Sequence, residues 1–154
     1  MDKNTNDLLI GPSVMPVDRD AWVKELNRSN FLNAFYQFKD IQQCEGSSIL
    51  IVGVGQGLDN LVLRWKGFNV TTYDIDYKFR PDYVGSVHDM SIFANKKFDI
   101  VIASHVLEHL PLEYLDASIS ELHRVAKYAL IYLPVAGRHG HLKFSLGIKN
   151  LGFV

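Results

Sequence analysis

Between Ile49 and Asp76 the chain reads "ILIVGVGQGLDNLVLRWKGFNVTTYDID": an apolar run, three alternate glycines, a segment of helical length, and a second apolar run that ends in aspartates. A short run of branched apolar residues bounded by glycine reads as a buried strand. The order therefore predicts strand Ile49–Val52, a tight turn, a helix from Leu58 to Lys66 ended by Gly67, and strand Asn69–Tyr73. Gly53, Gly55 and Gly57 follow the first strand directly. Glycine there permits positive φ and a backbone approach that any side chain would block, so something must come close. Asp74 lies about 20 residues beyond Gly53, at the end of the second strand, where a carboxylate accepts hydrogen bonds from both hydroxyls of a ribose. A dinucleotide fingerprint needs a small residue at the last position of G-x-G-x-x-G, so that the helix N-terminus can meet a pyrophosphate. That position holds Leu58 counted from Gly53 and Asn60 counted from Gly55, and Asp59 near the helix start is unfriendly to phosphate. A nucleoside without a phosphate fits this turn better.

The alternation continues downstream. After a turn at Arg80–Pro81 come a weak strand at Tyr83–Val84, the strand "FDIVIAS", helical spacing in "LEYLDASISELHRVA", and a closing strand "YALIYLP". Alternating β and α segments with near-continuous apolar strands imply an α/β fold with a parallel sheet buried on both faces. Ligands of such sheets bind beyond the carboxyl ends of the strands, which places the sites just after strands one, two and four. Upstream, Met1 to Pro16 reads as an arm punctuated by Gly11, Pro12 and Pro16. Two short helices follow, with Asp18 and Ser29 or Asn30 as N-caps, and Trp22, Leu26, Phe31, Phe35 and Phe38 are expected to cover the sheet. A length of 154 residues with 47% hydrophobic content makes one domain with a real core. Within it, residues 1–45 form the arm and first helices, 46–134 the sheet, and 135–154 a C-terminal remainder. The formal charge of -1 provides no long-range field for nucleic acid or an anionic membrane. A single cysteine, Cys44, and a start without a signal-peptide pattern suggest a reducing cytoplasm. No apolar run reaches the roughly 18 to 20 residues of a spanning helix.

Taken together, "ILIVGVGQG", "VTTYDID", "FDIVIASHVLEHLP" and "ELHRVAKYALIYLP" resemble the class I S-adenosylmethionine-dependent methyltransferases, particularly their small-molecule type, over Ile49 to Pro134. The resemblance implies a Rossmann-like, doubly wound, mostly parallel sheet of about five strands in the order 3-2-1-4-5 with helices on both faces. It also implies S-adenosyl-L-methionine as cofactor and S-adenosyl-L-homocysteine as product. Gly53, Gly55 and Gly57 then pass under the methionine part, Asp74 takes the ribose and Ile75 neighbours the adenine. Asp76 is assigned a turn or capping role. Many relatives place an aspartate on the adenine amino group after the third strand, where this chain has Ser86. Adenine is held either by Ser86 with the Val87 backbone or, after a shift of the loop, by Asp89; His88 is read as a loop histidine. Ser104 and His105 line the methionine end. Relatives continue past the fifth strand with a helix and an antiparallel pair that shape much of the substrate wall. The twenty residues from Val135 to Val154 are too few for these, so the chain is expected to be truncated, to lack the antiparallel strands, and to leave an open edge on strand Ala129–Leu133. The tail or a second copy of the chain, as a homodimer, would cover that edge.

His105, Glu108 and His109 share a face if a helical turn begins after the fourth strand. In the resembling family Leu-Glu-His-Leu is a recurring structural turn, and no metal is expected here. Metal-dependent small-RNA 2′-O-methyltransferases use a Glu-x-x-Glu-His set, of which this chain has His105 for the first glutamate and His139 or His141 for a later ligand. Transfer from a sulfonium needs chiefly alignment of the acceptor. His105 or His109 is the candidate base where the acceptor must lose a proton. The expected function is thus methyl transfer to a small or medium-sized molecule. The alternatives are a non-catalytic or incomplete cofactor-binding module serving a partner protein and, behind it, the metal-dependent RNA enzyme. An NAD-dependent oxidoreductase is disfavoured by Leu58.

Overall fold

The computed structural model describes residues 28–134 and the backbone of one further strand, 141–146. Among these residues the helices are α1 (Arg28–Ile41), α2 (Leu58–Trp65) and α3 (Leu115–Val125). The strands are β1 (Ser48–Val52), β2 (Asn69–Asp74), β3 (Tyr83–Val84), β4 (Phe98–Ser104), β5 (Ala126–Pro134) and β6 (His141–Leu146), with short 3-10 turns at Tyr77–Phe79, Leu107–His109 and Leu112–Tyr114. Strand order is β3-β2-β1-β4-β5-β6. The first five strands are parallel in the order 3-2-1-4-5, as the sequence leads one to expect, with Ile49 beside Val70 and Ile100.

Consecutive strand residues are buried because both faces are covered. Leu50, Val52, Val101, Ala103, Ala129 and Ile131 pack with Leu122 and Val125 of α3, while Ile49, Ile51, Ile100, Ile102 and Leu130 pack with Ile41 of α1 and Leu63 of α2. Gly67, at φ 90°, ends α2 and lets Phe68 N–H reach the Leu63 carbonyl at 3.1 Å. With every strand of the parallel core pointing one way, the loops after β1, β2, β3 and β4 meet along one edge.

Two expectations are corrected. The tail does supply an antiparallel strand: β6 pairs with β5 from Pro134↔His141 to Ala129↔Leu146, so the antiparallel part is not wholly lacking, and of the two covers expected for the β5 edge the structure has the tail. A strand needs only six residues where a ready-made edge offers its hydrogen bonds. The second concerns α1. Phe38 packs on the core, but Phe31 and Phe35 are 53% and 58% exposed, and the buried face carries Ala34, Gln37, Asp40 and Ile41. Helical spacing defines stripes without saying which one turns inward. Here the polar stripe wins because it finds partners on the sheet, as where Tyr132 Oη donates to Asp40 at 2.8 Å. Trp22 and Leu26 lie outside the described residues.

Candidate functional site

The glycine turn leaves β1 with Gly53, Gly55 and Gly57 all at positive φ (81°, 55° and 75°), the left-handed region that costs side-chain-bearing residues most. A Cβ on Gly53 would sit 2.5 Å from Val106 Cγ2, so this glycine lets the turn lie against the segment after β4. Space around Gly57 is open, and its φ alone calls for glycine as it caps α2. Asp59, in the first turn of α2, is pushed up by burial to about 6.

Asp74 closes the turn from β2. Its Oδ2 accepts Val54 N–H at 2.7 Å and its Oδ1 accepts Asp76 N–H at 2.9 Å, at 8% exposure. Burial raises its pKa above the ordinary aspartate value, against the pull of these N–H groups. Each carboxylate oxygen keeps a lone pair for a ligand hydroxyl. Asp76 caps the following 3-10 turn, accepting Lys78 N–H at 2.9 Å, and Ile75 lies half-buried between the two acids.

One strand further out, Gly85 N–H donates to the Asp74 carbonyl at 2.9 Å, and any side chain on Gly85 would run into the Tyr73 ring. Tyr73 Oη has the carbonyls of Ser86 (3.2 Å) and Asp89 (2.9 Å) in reach of its one proton, which pins this loop from inside. Ser86 and Val87 are buried beside the end of β2. Asp89 is exposed, accepts Ser91 N–H at 3.1 Å, and faces a cleft with Glu121 and Arg124 of α3. His88 lies in the loop after β3, as expected, with its Nδ1 2.7 Å from Ser86 Oγ and its ring stacked on Tyr114.

Ser104 ends β4. His105 follows at φ 55°, a costly turn for a non-glycine residue, with its N–H on the Tyr132 carbonyl at 3.0 Å and Nδ1 3.1 Å from Glu108 Oε1. Burial opposes ionisation of Glu108, but the hydrogen bond from His105 and the nearness of both histidines hold its pKa below the ordinary value. Residues 107–109 form a 3-10 turn rather than an α-helical one, and His109 stands exposed at its end. Among the described residues no three metal-ligating side chains come together; His139 lies outside them, and of His141 only the backbone is described.

Helix α1, whose aromatics alone are expected to cover the sheet, also brings polar side chains to this edge. Asn30 Nδ2 donates to Gln56 Oε1 of the glycine turn at 2.6 Å, and Asn33 Nδ2 donates to Ser104 Oγ at 3.0 Å. Asn33 Oδ1 and Gln37 Oε1 are buried acceptors with no hydrogen-bond partner among the described residues. The signal was present in Asn30, Asn33, Gln37 and Asp40, a polar stripe at three- to four-residue spacing.

Solved methyltransferases share the fold. An S-adenosylmethionine-dependent methyltransferase from Archaeoglobus fulgidus matches with a TM-score of 0.55 at 22% identity over 70% of this chain and 52% of its own. The 1,6-didemethyltoxoflavin N1-methyltransferase of Burkholderia thailandensis, solved with 1,6-didemethyltoxoflavin and S-adenosylhomocysteine, matches with 0.58 at 14% over 84% and 61%. Magnesium protoporphyrin IX methyltransferase from Synechocystis PCC 6803, solved with bound S-adenosylmethionine, matches with 0.57 at 19% over 77% and 70%. This chain thus spans about half the length of the Archaeoglobus protein. No curated protein matches the sequence. The family profile described as a methyltransferase domain matches residues 50–129, more than half of the chain. On that match, and with the fold built around the glycine turn and Asp74, the chain belongs to the class I S-adenosylmethionine-dependent methyltransferases.

Proposed function

We propose that the chain binds S-adenosylmethionine and passes its methyl group to a small or medium-sized acceptor. The observation that carries the reading is the joining of Asp74 to the glycine turn through Val54 N–H, at the edge where Ser86 and Ser104 also arrive. A buried carboxylate with spare lone pairs suits ribose hydroxyls. Asn33 Oδ1, a buried acceptor without a partner among the described residues, suits a ligand that brings N–H donors, since leaving such an acceptor unpaired costs about 1 to 3 kcal/mol.

In this reading the backbone at Gly53, Gly55 and Gly57 holds the amino-acid part, together with Ser104 and His105. Asp74 holds the ribose, Ile75 covers the adenine, and Ser86 with the Val87 N–H takes its polar edge. When bound, the cofactor supplies an electrophilic methyl group on a sulfonium whose departure needs no acid. The protein's part is to align the acceptor and exclude water. His105, whose Nδ1 lies 3.1 Å from Glu108 Oε1, is the candidate to take an acceptor proton, and His109 is the second candidate. A small acceptor is favoured by the Burkholderia relative, solved with 1,6-didemethyltoxoflavin. A cytoplasmic setting, inferred from the single cysteine, belongs to the same proposal; no described helix is long and apolar enough to cross a membrane.

Titration calorimetry with S-adenosylmethionine and S-adenosylhomocysteine tests the reading, with saturable one-site binding of both expected. Absence of heat with either ligand overturns it. The alternative of a non-catalytic module serving a partner protein has the half-length match on its side. Single-turnover methyl release from the bound cofactor in the presence of small heterocyclic acceptors separates the two readings.

A further inference from the structure

We infer that His88 is a positioning residue for purine recognition, fixing the hydroxyl of Ser86 as an acceptor for the exocyclic amino group; the inference rests on the adenine position proposed for Ser86. Ser86 is 6% exposed and held on a loop that Tyr73 pins from below. Its Oγ lies 2.7 Å from His88 Nδ1, a contact with one proton between the two atoms. The plane of the imidazole is fixed in turn by the Tyr114 ring, 4.4 Å away and inclined by 21°.

The direction of that one proton decides what Ser86 offers a ligand. A serine with no neighbour rotates to suit a donor or an acceptor. With Nδ1 bare, the hydroxyl must donate to the ring, and both lone pairs of Oγ remain for an N–H donor. With Nδ1 protonated, the ring donates to Oγ and the hydroxyl proton turns outward, so the site presents a donor and only one remaining lone pair. An exocyclic amino group is matched better by the first state, in which two lone pairs face it, than by the second, in which one remains beside an outward proton. The preference for a 6-amino purine should therefore fall as the imidazole takes up a proton.

Among the described residues, the charged groups that line the cleft with His88 are Asp89 beside it in the loop and, from α3, Glu121 and Arg124, whose Oε2 and Nη2 lie 2.8 Å apart, and the ring stacks on the Tyr114 phenol. Hydrogen bonds and neighbouring charges hold Asp89 and Glu121 below the ordinary carboxylate values and Arg124 above its own, so these three keep their charges between pH 5.5 and 8. Asp74 faces any ligand with the same ribose alike and drops out of a ratio of two such ligands.

The experiment compares S-adenosylhomocysteine with its analogue bearing hydrogen in place of the 6-amino group, by calorimetry on the whole chain at pH 8 and pH 5.5. The analogue keeps the ring nitrogen beside Val87, so the ratio of dissociation constants reports the amino contact alone. We expect a ratio of about tenfold at pH 8, the value of one hydrogen bond, and a fall of about threefold or more at pH 5.5. His88→Asn, which keeps an acceptor near the Nδ1 position but does not titrate, should hold the higher ratio at both pH values. His88→Leu should show no pH dependence of the ratio. A wild-type ratio that stays constant with pH, or one that falls equally in His88→Leu, overturns the inference while leaving the cofactor reading intact. Failure of the wild type to bind S-adenosylhomocysteine overturns both.

Discussion

The carboxylate of Asp74 is shared between the fold and the ligand, because the oxygen that holds Val54 N–H also stands at the proposed ribose position. Asp74→Ala should therefore do two things at once. It should weaken S-adenosylhomocysteine by about 1.5 to 3 kcal/mol, the range for lost charge-assisted hydrogen bonds, and lower the melting temperature by releasing two backbone N–H groups. Asp74→Asn keeps a carbonyl acceptor in place and should recover more of the stability than of the affinity; calorimetry and thermal melts on the two variants check this, and equal recovery would remove the ribose role. Asp59 makes a different prediction. Burial lifts its carboxyl from 3.8 to about 6, so between those values the folded chain keeps a proton that the unfolded chain gives up. This group's contribution to stability therefore falls as pH rises from about 4 to about 6, and stays low above that window. Asp59→Asn, which cannot ionise, should melt higher than the wild type at pH 8, and the gap should close toward pH 4. A gap independent of pH would show that burial does not govern this carboxyl.

At the scale of elements, the turn between β1 and α2 separates two reasons for glycine. Gly57 has room for a side chain but sits at φ 75°, so Gly57→Ala should cost about 1 kcal/mol in urea unfolding, and Gly57→Asn less than half of that, since asparagine tolerates the left-handed region. Gly53→Ala should cost more, because its methyl group meets Val106, and adding Val106→Ala should recover part of the loss; no recovery would mean that φ alone decides at this position. This unit was legible in the sequence because strand, glycines, helix and second strand are specified by residues close in the chain. The orientation of α1 was not, since Phe31 and Phe35 form as good a stripe as Asn33 and Gln37, and the choice rests on partners such as Ser104 and Tyr132 far away in sequence. The face shared by His105, Glu108 and His109 was read on an α-helical period. The 3-10 turn after β4 keeps the i, i+3 pair of His105 and Glu108 and leaves His109 exposed.

For the molecule as a whole, the question is how the sheet ends. Residue count alone leaves two covers for the β5 edge, the tail or a second copy, because the length of the tail is visible in the sequence while its pairing is non-local. With β6 in place, β5 is an interior strand, bonded to β4 on one side and to β6 on the other, and the edge available to another chain passes to β6. Intramolecular cover and cover by a second copy differ in one measurable way. Protection of the β5 amides from hydrogen exchange should be the same at low and high protein concentration if β6 of the same chain supplies the partner carbonyls, since opening is then a unimolecular event. If two copies shared the edge, the amides that point away from β4 would exchange faster on dilution, by mass action. We expect slow exchange across Ala129 to Leu133 at every concentration, at rates like those of β4. Dilution-dependent exchange confined to the outward set would show instead that the β5 edge is closed by a second chain, and would restore the homodimer as the way this sheet ends.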